Sequence, residues 1–256
     1  MSRAEPGGRR HAAQQAPELT GQAEDYLKAI YELEQGDAAA GTNAVASRLG
    51  IAAASVSGML QRLARLGLVH TERYRGTRLT ESGRAVALQL IRRHRIIESY
   101  LVSRLGFAWD DVHDEAERLE HAASTELIER MAHDLGNPTA DPHGAPIPTV
   151  EGKVDERRFG SLASLEVGAT ARVSRMSDRD ATLLRYLAAR GIRPGASVRV
   201  VSREAFDGPI VVTVDRKQRT ISPAAAANVW VEGEAAAVHT KRSAGASGRS
   251  SARRKR

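Results

Sequence analysis

The chain has 256 residues, 41% of them apolar and none cysteine, with a formal net charge of +7. That length holds one large domain or two to three small ones. The apolar share is enough for real cores, and the lack of cysteine excludes disulfides, thiolate catalysis and cysteine-ligated zinc.

No stretch approaches the ~20 consecutive apolar residues of a membrane span, so no membrane partner is expected. The start M-S-R-A-E-P-G-G-R-R is basic but has no apolar h-region, so no signal peptide is expected and the expected location is cytoplasmic. Residues 238–256 carry seven Lys or Arg and no acid, which leaves 28 basic and 29 acidic residues in 21–237. Inside that neutral body the charges separate. Residues 48–104 hold eleven Lys or Arg against three acids, whereas 105–134 hold two against nine. One lobe suits a polyanion and the next suits cations.

In chain order, Tyr26, Leu27, Ile30, Tyr31 and Leu33 form an apolar stripe at helical spacing over 23–33. A short helix is expected over 43–49, ended by Gly50. A second follows over 54–66, with Val56, Met59, Leu60, Leu63 and Leu66 on one face. V-H-T-E-R-Y-R-G-T-R-L-T then alternates and turns at Gly76, as a small hairpin does. Thr80 is placed to cap a long helix running to about Leu105, and Asp110 to cap the one that holds H-D-E-A-E-R-L-E-H. Residues 137–149 carry four prolines and read as a domain linker. Beyond it, T-A-R-V-S-R, S-V-R-V-V and I-V-V-T-V read as strands, with a helix over 181–190 stopped by Gly191. The result is a mainly α chain with a small β domain at its C-terminal side.

A short helix, a turn, a second helix and a basic hairpin make a winged helix-turn-helix. The second helix opens on Ala52, Ala53, Ala54, Ser55, Ser57 and Gly58, small enough for its backbone to approach base edges. Gln61 and Arg62 follow on its outer face, within reach of bases or phosphates. Arg73, Arg75 and Arg78 are positioned on the hairpin for phosphates or the minor groove of double-stranded DNA.

On a helix, His113, Glu117, Glu120 and His121 share one face. Without a cation, Glu117 and Glu120 would repel there. With one, the mixed carboxylate and imidazole set fits a divalent transition metal such as Mn or Fe. His94 and Glu98, spaced i, i+4 on the preceding helix, offer a second half-site.

From about Glu24 to Val231 the chain resembles the diphtheria-toxin-repressor family of metal-dependent transcriptional repressors. The resemblance lies in E-D-Y-L-K-A-I-Y-E-L, the winged helix, R-R-H-R-I-I-E, V-H-D-E-A-E-R-L-E-H and H-G-A-P-I-P. It implies a homodimer on a palindromic operator, built from a DNA-binding domain, a helical dimerisation domain and a C-terminal SH3-like domain. It also implies two metal sites per subunit: a primary one of Asp25, Glu117, Glu120 and His121, and an ancillary one of His94, Glu98 and His113. Iron-responsive members resemble a methionine and a cysteine at the places of Asp25 and Glu117, so the aspartate and glutamate here point to Mn²⁺, with Fe²⁺ as the alternative. The chain departs from the best-known manganese members at Lys28, where they have a glutamate, and at His113, a histidine they lack. Asp180 falls near a position at which some iron-type members draw a ligand from the C-terminal domain, but Leu183 stands where the accompanying glutamine belongs. No full contribution from that domain is expected, and His70, His133 and His143 are expected in structural or surface roles.

The expected organisation is a tail at 1–19, a winged-helix domain at 20–84, a metal-binding and dimerisation domain at 85–136, a linker at 137–165, an SH3-like domain at 166–236 and a basic tail at 237–256. Two rival classes remain. E-R-L-E-H has the look of the H-x-x-E-H zinc peptidases, but Glu117 stands where their first histidine would, and no nucleophile or oxyanion loop accompanies it. An enzyme with a small-molecule substrate is therefore not expected. A DNA-binding protein with a purely structural metal site is the other rival.

Overall fold

The structure is a computed structural model. It describes residues 19–35, 40–72, 76–155, 157 and 159–233. Both tails, and Arg73 and Arg75 at the tip of the expected wing, lie outside the described residues. The chain divides into two compact units, residues 1–156 and 157–256.

In the first unit, α1 (Gly21–Glu34) starts where Thr20 accepts a hydrogen bond from the Ala23 amide, and it buries Tyr26, Leu27, Ile30 and Tyr31 as their spacing predicts. Helix α2 (Thr42–Leu49) stops at Gly50, whose φ of +66° is left-handed. Helix α3 is Ala53–Arg65. Strands β1 (Val69–Glu72) and β2 (Gly76–Leu79) pair antiparallel, and an isolated antiparallel bridge joins Ala40 to Thr77 of β2. Thr80 caps the 25-residue helix α4 (Glu81–Leu105), accepting from Gly83 N at 3.0 Å. Two short helices follow, α5 (His113–Glu120) and α6 (Thr125–Asp134).

Helix α4 spans about 37 Å and serves two cores. Its N-terminal half supplies Ala87, Leu88, Leu90 and Ile91 to a core shared with α1, α2, α3 and β1. Its C-terminal half supplies Ile96, Ile97 and Leu101 to a second core with Val112, Ala116, Ile128, Ala132 and Ile147. His94 sits at the seam between them. Near the start of α4, a Cβ added to Gly83 would lie 1.9 Å from the Leu68 carbonyl oxygen, so the backbone itself would have to move. Gly83→Ala is expected to cost about 1–3 kcal/mol by overpacking. Thermal melting checks this, and an unchanged midpoint would mean that the helix and the hairpin slide apart freely.

Two expectations are corrected here. Asp110 does not cap α5: the cap position is Val112, with αR backbone and no side-chain hydrogen bond. Residues 137–149 are not a spacer either, because Asp141, His143, Ala145 and Ile147 are all buried. Asp141 Oδ1 accepts from the His143 and Ala145 amides, while Arg92 and Arg95 donate to the carbonyls of Pro148 and Pro146. Proline stops a helix, but it does not stop a segment from packing.

The second unit is a six-stranded antiparallel sheet. Its strands are β3 (Gly160–Ser161), β4 (Thr170–Met176), β5 (Ser197–Arg203), β6 (Ile210–Val214), β7 (Lys217–Ile221) and β8 (Val229–Glu232), in the spatial order β3-β8-β4-β5-β6-β7. Alternate residues such as Val173, Val198, Val200, Val212, Val214 and Val231 are buried on one face. Helix α7 (Ala181–Ala188) lies between β4 and β5, and α8 (Pro223–Ala227) between β7 and β8. The Asp180 carboxylate caps α7 by accepting from the Thr182 and Leu183 amides. Among the described residues, no helix is long and apolar enough to cross a membrane.

Candidate metal centre

Three helices of the first unit bring their polar side chains to the seam in α4. From α1 come Glu24, Asp25 and Lys28; from α4, His94 and Glu98; from α5 and the residue after it, His113, Glu117, Glu120 and His121. They form two clusters joined through one carboxylate.

In the first cluster, ligand atoms of Asp25, Glu120 and His121 lie within 4.8 Å of one another. His121 Nε2 is 3.1 Å from Asp25 Oδ1 and 3.6 Å from Glu120 Oε1. Its Nδ1 lies 2.6 Å from Glu24 Oε2. A proton held on Nδ1 toward Glu24 leaves the Nε2 lone pair facing the two other carboxylates, the arrangement a metal-binding imidazole needs. A Cβ at Gly21 would come within 3.1 Å of the His121 ring, so glycine lets α1 lie against it. Burial raises the pKa of Asp25 against the opposing pull of His121 and Lys28.

In the second cluster, His94 Nε2 is 3.0 Å from Glu98 Oε1 and 3.1 Å from His113 Nδ1, and His113 Nδ1 is 3.2 Å from Glu98 Oε1. His94 and Glu98 are buried. Burial favours the neutral His94 ring, but the Glu98 charge and hydrogen bonds to Glu120 and Glu98 outweigh it and raise the pKa to about 9. For Glu98, burial acts to raise the pKa, yet the His94 charge and the imidazoles facing its carboxylate hold it well below the usual range.

Glu120 links the two clusters. It is 1% exposed, with Oε2 at 2.7 Å from His94 Nδ1 and Oε1 at 2.5 Å from Lys28 Nζ. Glu117 stands apart from Asp25, Glu120 and His121. Its carboxylate is exposed and lies 3.5 Å from His113 Nε2, and that hydrogen bond is the first cause of a pKa lowered to about 2. Glu117 thus faces His113 of its own helix, while His121, the αR residue that caps α5, meets Glu24 and Asp25 of α1.

Two further buried residues lie here: Asp141, which the sequence did not single out, and His143, expected in a structural or surface role. Ligand atoms of Asp141 and His143 come within 4.8 Å of one on Glu98. His143 Nε2 donates to the Trp109 carbonyl at 2.7 Å, so its Nδ1 faces Glu98 Oε2 across 3.7 Å, longer than a hydrogen bond. An oxygen and a ring nitrogen at that separation suit a shared cation better than direct contact. The available signal was D-P-H-G, an acid and a histidine two residues apart, hidden by the prolines around it. Across all these groups the donors are carboxylate oxygen and imidazole nitrogen, a set that fits a divalent transition metal.

Residues 18–77 match the iron dependent repressor N-terminal DNA binding domain, 80–149 the iron dependent repressor metal binding and dimerisation domain, and 160–233 the FeoA domain. The iron-dependent repressor IdeR of Mycobacterium tuberculosis (strain H37Rv) is 34% identical over 207 residues, 76% of this chain and 90% of the relative. The chain belongs to the diphtheria-toxin-repressor family. Among solved structures of this family's fold, a manganese-dependent transcriptional repressor in complex with manganese is 40% identical, with a TM-score of 0.77 over 82% of this chain and 99% of that one. ScaR with bound Cd²⁺ is 29% identical, with a TM-score of 0.73 over 82% and 99%. As a family member the chain is a metal-dependent transcriptional repressor.

The DNA-reading face expected of a family member is available on α3. Ser55, Ser57, Gln61 and Arg62 are exposed there, while Val56, Leu60 and Leu63 are buried on the opposite side. Arg78 is exposed on β2. Helix α1 reaches this face directly, since the Tyr26 hydroxyl lies 3.5 Å from the Ser55 carbonyl. The neighbour of a candidate metal ligand therefore touches the start of α3.

Proposed function

We propose that the protein is a manganese-responsive repressor that binds a palindromic operator as a homodimer, with two divalent ions per subunit. The observation that carries this reading is the Asp25, Glu120 and His121 cluster. It spans α1 and the end of α5, so an ion there would hold α1, and with it Tyr26 against α3, in one position. The primary ligands in this reading are Asp25, Glu117, Glu120 and His121, with the Glu117 carboxylate turning away from His113 to join them. The ancillary ligands are His94, Glu98 and His113. Asp141 and His143 offer Glu98 an alternative pair of partners.

The absence of sulfur from both clusters supports Mn²⁺, because hard oxygen donors suit it better than softer competitors. Fe²⁺ is the second reading, favoured by the iron-dependent relatives and by a histidine at His113. The test is operator binding by metal-free protein titrated with each ion, Fe²⁺ under anaerobic conditions. Tight binding at lower Mn²⁺ than Fe²⁺ is expected. The reverse order would transfer the assignment to iron, and equal binding in chelator would leave only a structural metal.

On the DNA side, Ser55, Ser57 and Gln61 would read base edges, while Arg62, Arg73 and Arg75 would hold phosphates. If Arg62 neutralises one phosphate, Arg62→Ala should reduce the slope of log affinity against log salt by about 1, without changing sequence preference. An unchanged slope would remove Arg62 from the contact.

A further inference from the structure

Lys28 lies where a cation does the most in this centre. Its side chain is only 13% exposed and its ammonium is 2.5 Å from Glu120 Oε1. That same oxygen faces His121 Nε2 at 3.6 Å, so it is the donor that the first cluster would offer to an ion. The other oxygen of the carboxylate is engaged by His94. The charge of Lys28 also reaches beyond this contact, acting on Asp25, His94 and Glu117 as well as on Glu120. Within the acidic cluster, an ammonium from α1 thus ties α1 to α5.

We propose that Lys28 is a built-in counter-cation of the metal centre. It occupies Glu120 Oε1 when no divalent ion is bound, and its charge, retained beside a bound ion, weakens that binding and so sets the metal concentration at which the repressor responds. This rests on the metal-centre reading above. Two like charges within a few ångströms in a half-buried site interact far more strongly than in water. The same charge stabilises the empty state, because a buried carboxylate without a cation is costly. Lys28 is thus a positioning and affinity-setting residue, not a ligand.

The test compares the wild-type full chain with Lys28→Gln and Lys28→Arg. Mn²⁺ affinity is read by competition with a fluorescent chelator, and thermal melting is followed with and without metal. Lys28→Gln should bind Mn²⁺ about tenfold tighter or more, melt earlier in chelator, and gain more in melting temperature from Mn²⁺ than the wild type does. Lys28→Arg should stay within about threefold of wild type, since it keeps the charge. Equal or weaker Mn²⁺ binding by Lys28→Gln overturns the proposal. If Lys28→Gln is unfolded in chelator, recovery of fold by Mn²⁺ supports the proposal, and failure to fold at any Mn²⁺ concentration overturns it. Operator binding is measured in the same titrations. Metal-independent operator binding by the wild type counts against the sensor reading itself, whereas metal-dependent binding with an unchanged Lys28→Gln affinity counts against Lys28 alone.

Discussion

Glu120→Gln is expected to erase the metal response of operator binding. Allosteric coupling of the usual size, about 1–3 kcal/mol, would make that response roughly 5–150-fold, and this single carboxylate stands in both clusters. Its Oε1 meets Lys28 and His121 and its Oε2 meets His94, so the amide removes the negative charge from all three contacts at once. Stability should fall as well. Lys28 and His94 are both largely buried, and removing the one charge they share leaves two cations facing a neutral group. Breaking a buried pair in this way costs about 3–5 kcal/mol, or roughly 10 °C in melting temperature for a unit of this size. Calorimetry in chelator and operator titrations with Mn²⁺ read the two effects separately. A variant that melts early yet still responds to metal would show that the ion sits elsewhere, with Glu98, Asp141 and His143 the next set to examine.

The second large effect is on pH. His94 has a folded pKa of about 9 against an ordinary value of 6.5. A raised pKa in the folded state contributes stability that is fully present below about pH 6.5 and disappears as pH rises through 9. The lowered values of Glu98, Glu117 and Glu120 act the other way: their contribution is present above about pH 4.5 and is lost as pH falls below it. Metal-free protein should therefore be most stable between about pH 4.5 and 6.5, and melt progressively earlier from there to pH 9. An ion that takes His94 as a ligand must displace its proton. Its apparent affinity should then rise about tenfold per pH unit, roughly a hundredfold between pH 6.5 and 8.5. Metal-free stability that climbs over that range, or a flat metal affinity, would mean that His94 is neutral in the folded state.

Helices α1 to α4 were legible because each announces itself locally. The apolar stripe of α1, Gly50 after α2 and the Thr80 cap of α4 are all short-range signals. What stayed hidden depends on contacts between distant residues. Four prolines in 137–149 describe what the backbone refuses to do, but not that Arg92 and Arg95, some fifty positions earlier, satisfy its carbonyls. Helical spacing put His113 and Glu117 on the face of Glu120 and His121. It could not say that His113 would meet Glu98 on α4, that Glu117 would stay with His113, and that His121 would meet Asp25 on α1. Lys28 was visible as a departure from the family pattern, yet the repulsion expected among the α5 carboxylates counted only their own helix.

The double service of α4 has a consequence for how this protein can be taken apart. Ala87, Leu88, Leu90 and Ile91 complete the hydrophobic core of the winged helix, although they lie beyond the hairpin that would seem to close it. A fragment cut near residue 84 would remove those four buried residues from the core that holds Tyr26, Ile30 and Leu63. The DNA-reading head is thus not a portable module: grafted onto another protein, it would have to carry α4 with it, and with α4 come His94, Glu98 and the second core.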